Sequence, residues 1–309
     1  MMTDFYNQIQ GQNILVTGGT GSIGSEIVKK LLSGNPKSVR IFARDEFKHF
    51  DLRKHLEHYF TDAPFEHVIG DVRDAKRVNE AMQDVDIVFH AAGLKHVTFA
   101  EENPEEAIKT NVYGTQNIVD AALTHNIEKV VAISTDKAVY PNTTMGTTKL
   151  LMERVILGAK AKLTNARTKL SIVRFGNVLG SRGSVLPIWI DQIKRGEPIT
   201  ITDKNMRRFY MHIPEAVDLV FYAFTIMHGQ EIIVLKMPEI SIYELAQKTI
   251  AEHAEGKKIE IRYIGMKERE KLEEQLYTEE ERKLMYENDK FYIILPNSIV
   301  YKERIGLYE

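Results

Sequence analysis

The chain has 309 residues, 43% hydrophobic and 27% charged, which is enough to bury a large core and ordinary for a soluble globular protein. A net charge of -2 lacks the clustered excess of base that phosphate neutralisation requires, so no nucleic-acid partner is expected. With no cysteine there can be no disulfide, thiol nucleophile or thiolate metal site, a composition compatible with the reducing cytoplasm where the protein is expected.

The first ten residues, MMTDFYNQIQ, contain no basic region followed by an apolar run, so they do not read as a secretory signal. The longest apolar stretch, Val217 to Met227, includes Asp218 and falls well short of the roughly 20 residues that span a bilayer, so no membrane partner is expected. Among scattered histidines, His55 and His58 alone keep helical spacing, one turn after Asp51. A solvated helix face explains them better than a metal site, and no metal is expected.

Asn13–Thr17 reads as a buried strand running into Gly18-Gly19-Thr20-Gly21-Ser22-Ile23-Gly24, followed by a helical pattern through Ile27, Val28, Leu31 and Leu32. Glycines at 18, 21 and 24 allow a tight turn and let backbone N–H groups approach a pyrophosphate at a helix N-terminus. Between a strand and a helix, this spacing favours dinucleotide binding over a plain glycine turn. A second strand, Val39–Ala43, ends in Arg44-Asp45. An acidic residue there suits the ribose hydroxyls of NAD and an arginine suits the extra phosphate of NADP; Arg44 comes first and points to NADP, with Asp45 as the counter-signal.

A third strand near His67–Ile69 ends in Gly70-Asp71-Val72 and precedes a helix from Asp74 to Met82. A fourth, Asp86–His90, ends in Ala91-Ala92-Gly93, small residues where a cofactor would lie close. One long helix is expected from Pro104 to Thr124, with Ile108, Val112, Ile118, Val119 and Ala122 at helical spacing. Strand five, Val130–Ile133, then surfaces at Ser134-Thr135-Asp136-Lys137, and ligands of open α/β sheets bind at that end. Asp136 beside Lys137 offers an acid and a base; the plain alternative is an exposed ion pair on a solvated loop. A helix from Gly146 to Leu163 and a strand from Leu170 to Phe175, ending in Gly176-Asn177, complete an alternation that predicts a doubly wound parallel sheet.

After Asn177, glycines and prolines at 180, 183, 187, 196 and 198 break the rhythm. A helix through Glu215–Met227 and a strand at Ile232–Leu235 are expected to rejoin the main sheet. The expected organisation is a dinucleotide-binding domain, residues 1–176 joined by about 210–236, and a smaller α/β substrate-binding lobe formed by 177–209 and 237–309.

With these residues in hand, the chain resembles the extended short-chain dehydrogenase/reductases, and within them the inverting UDP-N-acetylglucosamine 4,6-dehydratase (5-epimerase) family. The resemblance rests on RDE at 44–46, HAAGLKHV at 90–97, STDKAVYPNTTMGTTK at 134–149, RFGNVLGSRGSV at 174–185 and ITDKNMRRF at 201–209. It implies that Gly18, Thr20, Gly21, Ser22, Ile23 and Gly24 hold the pyrophosphate of NADP, Arg44 its 2′-phosphate and Asp71-Val72 its adenine. Ala91, Ala92 and Ser134 would lie along the cofactor, and Lys149 at the nicotinamide ribose. It further implies Asp136 and Lys137 as acid and base, with Thr135 touching the sugar. Lys95, Asn177, Arg182, Val185 and Arg208 would line the site of a UDP-N-acetylhexosamine, joined by Lys267 and Glu270; a homo-oligomer is also implied.

The implied reaction oxidises C4, eliminates water across C5–C6 and returns hydride to C6, with inversion at C5. Three positions in two motifs depart from the family pattern. Met145 stands where the superfamily has a proton-transferring tyrosine, and a thioether cannot do that work. In the C-terminal pattern Gly-x-Arg-x-Gly-Glu-Lys, Lys267 replaces arginine and Arg269 replaces glycine. The rival readings are a UDP-sugar 4-epimerase or retaining dehydratase, and a non-enzymatic NADP sensor, for which Met145 is the best argument.

Overall fold

Short β-branched runs buried on both faces are satisfied by parallel pairing, and these runs pair in that way. A computed structural model describes residues 2–159 and 167–308. Its strands in chain order are β1 (Asn13–Thr17), β2 (Ser38–Ala43), β3 (Phe65–Ile69), β4 (Ile87–His90), β5 (Lys129–Thr135), β6 (Lys169–Phe175), β7 (Asn177–Leu179), β8 (Ile199–Ile201), β9 (Arg207–His212), β10 (Ile232–Leu235), β11 (Glu239–Ser241), β12 (Ile261–Tyr263), β13 (Met285–Glu287) and β14 (Phe291–Ile294). The main sheet has the order β13-β14-β10-β6-β5-β4-β1-β2-β3. Every pairing from β10 to β3 is parallel, while β14 and β13 add an antiparallel edge. Because the chain moves outward from β1 in both directions, a crevice opens beside β1 and β4 at the strand ends.

The helices are α1 (Met2–Ile9), α2 (Ser22–Leu32), α3 (Glu46–Tyr59), α4 (Ala75–Ala81), α5 (Val97–Glu102), α6 (Pro104–Ile108), α7 (Gly114–Thr124), α8 (Thr144–Gly158), α9 (Val185–Lys194), α10 (Ile213–Ile226) and α11 (Ile242–His253). α10 packs with α1 and α2, and α7 packs with α4 and α8, so the sheet is covered by two helical layers. No described helix is long and apolar enough to cross a membrane. Asp51, His55 and His58 lie along α3, and no group of three or more potential metal ligands forms among the described residues.

Four differences from the sequence reading have physical causes. The first ten residues contain α1, an amphipathic helix whose buried Phe5 stacks on Phe221 with ring centroids 3.8 Å apart. The helix expected from Pro104 to Thr124 is α6 and α7 joined by a π-helical turn, Lys109–Tyr113. The helix expected to reach Leu163 is α8, ending at Gly158, and Leu163 itself lies outside the described residues. The tail, expected to stay in the smaller lobe from residue 237 onward, returns through β14, whose antiparallel partner is β10. The smaller lobe keeps its own core, with Trp189, Ile193, Ile199, Ile201, Met206 and Ile242 packed together. Its two small sheets are β11-β9-β7 and β12-β8.

Candidate active site

The glycine turn connects β1 to α2 with its backbone bare. Gly18 has φ +63, and a Cβ there would lie 2.7 Å from the Ala92 nitrogen. A Cβ on Gly24 would overlap the Gly18 carbonyl. The N-cap of α2 is Gly21, which offers no side-chain acceptor, so the first N–H groups of that helix are left for an anion. Such a cradle fits the pyrophosphate of a dinucleotide. It opens into a cleft of about 700 Å³ that runs across the strand ends to the smaller lobe.

Of the residues singled out in the sequence, Gly18, Thr20, Gly21, Ser22, Ile23, Gly24, Arg44, Asp71, Val72, Ala91, Ala92, Lys95, Ser134, Thr135, Lys137, Lys149, Asn177, Arg182 and Val185 line this cleft. Asp136, Arg208, Lys267 and Glu270 do not. At the end of β2, Asp45 is committed to α3: its carboxylate accepts from the Lys48 backbone at 3.1 Å and pairs with Lys48 Nζ at 2.6 Å. Those hydrogen bonds from Lys48 hold the Asp45 carboxyl below the usual range. Arg44 is exposed beside it, 3.7 Å from Asp71.

At the end of β5 the chain makes a single 3-10 turn, Asp136–Ala138, capped by Thr135. Lys137 Nζ donates to Asp136 Oδ1 at 2.9 Å and to Asn177 Oδ1 at 3.0 Å. The Thr135 hydroxyl donates to the same Asp136 oxygen at 2.9 Å. Asp136 is 0% exposed and its Oδ2 has no hydrogen-bond partner. The two residues therefore do not face the cleft as equals: Lys137 and Thr135 line it, and Asp136 sits behind them. Lys149, one turn into α8, donates to the Ile133 carbonyl at 2.9 Å, and burial lowers its pKa to about 8 although Glu153 opposes the shift. Asn111, in the π-helical turn, fixes the loop after β4. Its Oδ1 accepts from Leu94 at 2.8 Å and its Nδ2 donates to Thr148 on α8 at 3.0 Å. Met145 is 3% exposed and packs with Val97, Ala100 and Ala107.

A model of the family described as "Polysaccharide biosynthesis protein" matches residues 14–296. The chain belongs to that family. Within it, the chain is 40% identical over 289 residues to a protein of Campylobacter jejuni named UDP-N-acetylglucosamine 4,6-dehydratase (inverting), which covers 93% of this chain and 84% of the relative. It is also 44% identical over 275 residues to a protein of Rickettsia massiliae named UDP-glucose 4-epimerase, covering 87% and 79%. Among solved structures, that of Pen from Bacillus thuringiensis superposes with a TM-score of 0.89 at 41% identity, covering 94% of this chain and 88% of that one.

The cationic residues divide between the cleft wall and the interior of the C-terminal segment. Lys95 Nζ donates to the Arg182 carbonyl at 2.7 Å, and Arg182 in turn reaches the glycine turn through Ser22 Oγ at 3.0 Å and the Thr20 carbonyl. Burial, with Arg182 nearby, lowers the pKa of Lys95. Arg208 is buried and spends its guanidinium on the carbonyls of Lys271 at 2.7 Å and Leu272 at 2.9 Å. Lys267 is exposed, and Glu270 accepts from its backbone at 3.0 Å. Arg269 holds the glycine-like φ of +61 at the position where the resembling pattern has glycine.

The sequence reading missed Lys48, His96 and Tyr210, which all line the cleft. Lys48 could have been found as the third residue after a capping aspartate; Tyr210 could not, because only the pairing of β7 with β9 sets it opposite Asn177. Burial raises the Tyr210 pKa, partly offset by its hydrogen bond with Asn177.

Burial of Lys149 sets a stability test. Its folded-state value of about 8 lies below the ordinary 10.5, so the unfolded chain holds the proton more tightly. The native state is therefore penalised below about pH 8, and the penalty fades as pH rises from there to 10.5. Lys149→Met should raise unfolding stability at neutral pH by up to roughly 3 kcal/mol, with the gain shrinking through that window. Urea denaturation across the window checks this, and a variant no more stable than the native protein at neutral pH contradicts it.

Proposed function

We propose that the protein is a UDP-N-acetylglucosamine 4,6-dehydratase that inverts C5 and recycles a nicotinamide dinucleotide. The observation that carries this reading is the cleft joining the bare glycine turn to Lys137, with Asp136 at 2.9 Å behind it. Identity to the Campylobacter dehydratase supports it.

The C5 proton of a sugar is not acidic until C4 becomes a ketone. The chemistry a bound nicotinamide supplies is removal of hydride from C4 and its return to C6. This chain supplies the rest. The Lys137 Nζ–Asp136 Oδ1 hydrogen bond is the path for one proton in this mechanism. When that proton lies on Asp136, the Lys137 amine takes the C5 proton, and the C–H electron pair enters the C4–C5 enolate. Expulsion of the 6-hydroxyl needs a proton, which Thr135 hands over while it is resupplied by Asp136 through their 2.9 Å contact. The pair is then Lys137 ammonium and Asp136 carboxylate. The proton lost from the 4-hydroxyl on oxidation passes to solvent, and C5 takes a solvent proton on the face away from Lys137, which completes the inversion; the Lys137 proton then returns to Asp136 across their 2.9 Å contact and resets the pair. This replaces the direct role for Asp136 expected from sequence, because a fully buried carboxylate reaches substrate only through Thr135. Lys149 orients the nicotinamide ribose. Lys95 and Arg182 would meet the diphosphate.

The cofactor we propose is NADP. Arg44 and Lys48 place two cations at the end of β2, and Asp45 beside them, which also lines the cleft, is engaged by the Lys48 backbone and ammonium. The relative named UDP-glucose 4-epimerase favours a second reading, C4 epimerisation, which has no use for proton exchange at C5.

Turnover of UDP-N-acetylglucosamine in heavy water, followed by NMR, separates the two. The dehydratase gives a 6-deoxy-4-keto sugar with deuterium at C5 and the original C4 hydrogen at C6. C4 epimers that keep the 6-hydroxyl would establish the epimerase instead. Arg44→Ala should weaken NADP at least about tenfold more than NAD in equilibrium binding, the loss expected when a charged phosphate contact is removed; equal loss for both would contradict the NADP assignment.

A further inference from the structure

Glu274 is a buried carboxylate with no task in the scheme above. It lies between β12 and β13, is 8% exposed, and its Oε2 has no hydrogen-bond partner. Its Oε1 is 3.7 Å from Lys137 Nζ, and its Oε2 is 3.7 Å from Lys271 Nζ. Lys271 also grips the catalytic loop itself, donating to the carbonyls of Val139 at 3.0 Å and Tyr140 at 2.7 Å. The same segment is tied from below, since Arg208 holds the carbonyls of Lys271 and Leu272 and Arg174 holds that of Leu276. So many ties fix the point at which Glu274 meets Lys137. A carboxylate is left buried only where a cation answers it, and the cation facing Glu274 from inside the site is Lys137.

We propose that Glu274 is a positioning residue for Lys137: with Asp136 it anchors the amine from two sides and sets the balance of the proton that Lys137 and Asp136 share. This inference rests on the dehydratase reading. Lysine carries its charge on a flexible four-carbon stem, so one carboxylate and one amide oxygen leave it free to swing. A second carboxylate, reaching it from the C-terminal segment, restricts Nζ to the cleft wall. The groups facing Nζ are Asp136 on its own turn, Asn177 on β7 backed by Tyr210 on β9, and Glu274, with Lys271 beyond it. Glu274 brings a second carboxylate to 3.7 Å from Nζ, and the test below removes that charge.

The test compares native protein with Glu274→Gln and Glu274→Asp. Lys137 is methylated reductively across a pH series and read by peptide mass spectrometry, which needs no turnover. In Glu274→Gln the Lys137 profile should move to lower pH, with at least about fivefold more labelling on its rising limb, the effect of one charge about 4 Å away even under bulk screening. Glu274→Asp, which keeps the charge, should move it less. With UDP-N-acetylglucosamine, the rising limb of kcat should follow the same shift in Glu274→Gln. The plateau should fall roughly tenfold or more from the looser amine while KM stays within about threefold. A purely structural Glu274 would change stability and KM and leave both pH profiles in place, and that result overturns the proposal. If labelling shifts but the native protein forms no dehydrated product, the dehydratase reading fails and the Glu274–Lys137 coupling stands. If the native protein dehydrates and labelling does not shift, the coupling alone fails.

Discussion

A buried ion pair beneath the end of β5 ties together the elements that carry two lysines of the cleft, Lys137 and Lys149. Glu153 accepts from the Ser134 hydroxyl at 2.6 Å and receives the Arg174 guanidinium through Nε at 3.1 Å and Nη2 at 2.7 Å. Arg174 also reaches Glu281 with both terminal nitrogens and the Leu276 carbonyl with one. Four elements meet there: β5 just before Thr135, α8 one turn beyond Lys149, β6 two residues before Gly176, and the segment that carries Glu274. Charges so deeply buried are costly unless every partner is present. Because their hydrogen-bond geometry is demanding, they set register rather than adding stability. The Arg174 guanidinium is held above its ordinary pKa: burial opposes this, but two carboxylates outweigh it.

Local patterns in the chain were readable wherever a short stretch of sequence determines its own structure. The glycine turn is one case, since its spacing, the preceding strand and the following helix lie within twenty residues. The alternating strands and helices through Phe175 are another, because a parallel sheet buries each strand on both faces and so demands continuous apolar runs. What escaped was set by distance. Where α1 docks is set by Phe5 meeting Phe221, and β14 joins the sheet because β10 offers an open edge. The π-helical turn that places Asn111 has no sequence signature separate from the helix around it.

The same distinction runs through the site. Thr135, Asp136 and Lys137 could be placed together from sequence because they follow one strand end, whereas Lys149 on α8 was marked by the family resemblance. Which of them lines the cleft could not be read, because that depends on the turn geometry that buries Asp136 and leaves Lys137 half-buried at the cleft wall. Glu274 and Tyr210 come from parts of the chain that have no periodic relation to β5. Arg208 matched a motif, yet the structure gives its guanidinium to backbone carbonyls of the C-terminal segment. A motif specifies residue types, and their partners are decided by packing.

Met145 is the position where family chemistry and this chain part. It lines the cleft and also packs with Val97, Ala100 and Ala107, so its side chain closes a small apolar cluster at the start of α8. A thioether carries no exchangeable proton, so the proposed dehydration would have to move its protons without Met145. The most direct test is kcat for UDP-N-acetylglucosamine dehydration by Lys137→Ala and Met145→Ala. The account predicts that Lys137→Ala loses about 10²–10⁴-fold, the usual cost of a general acid–base group, while Met145→Ala keeps substantial activity. Turnover by Lys137→Ala near that of the native protein would contradict the account.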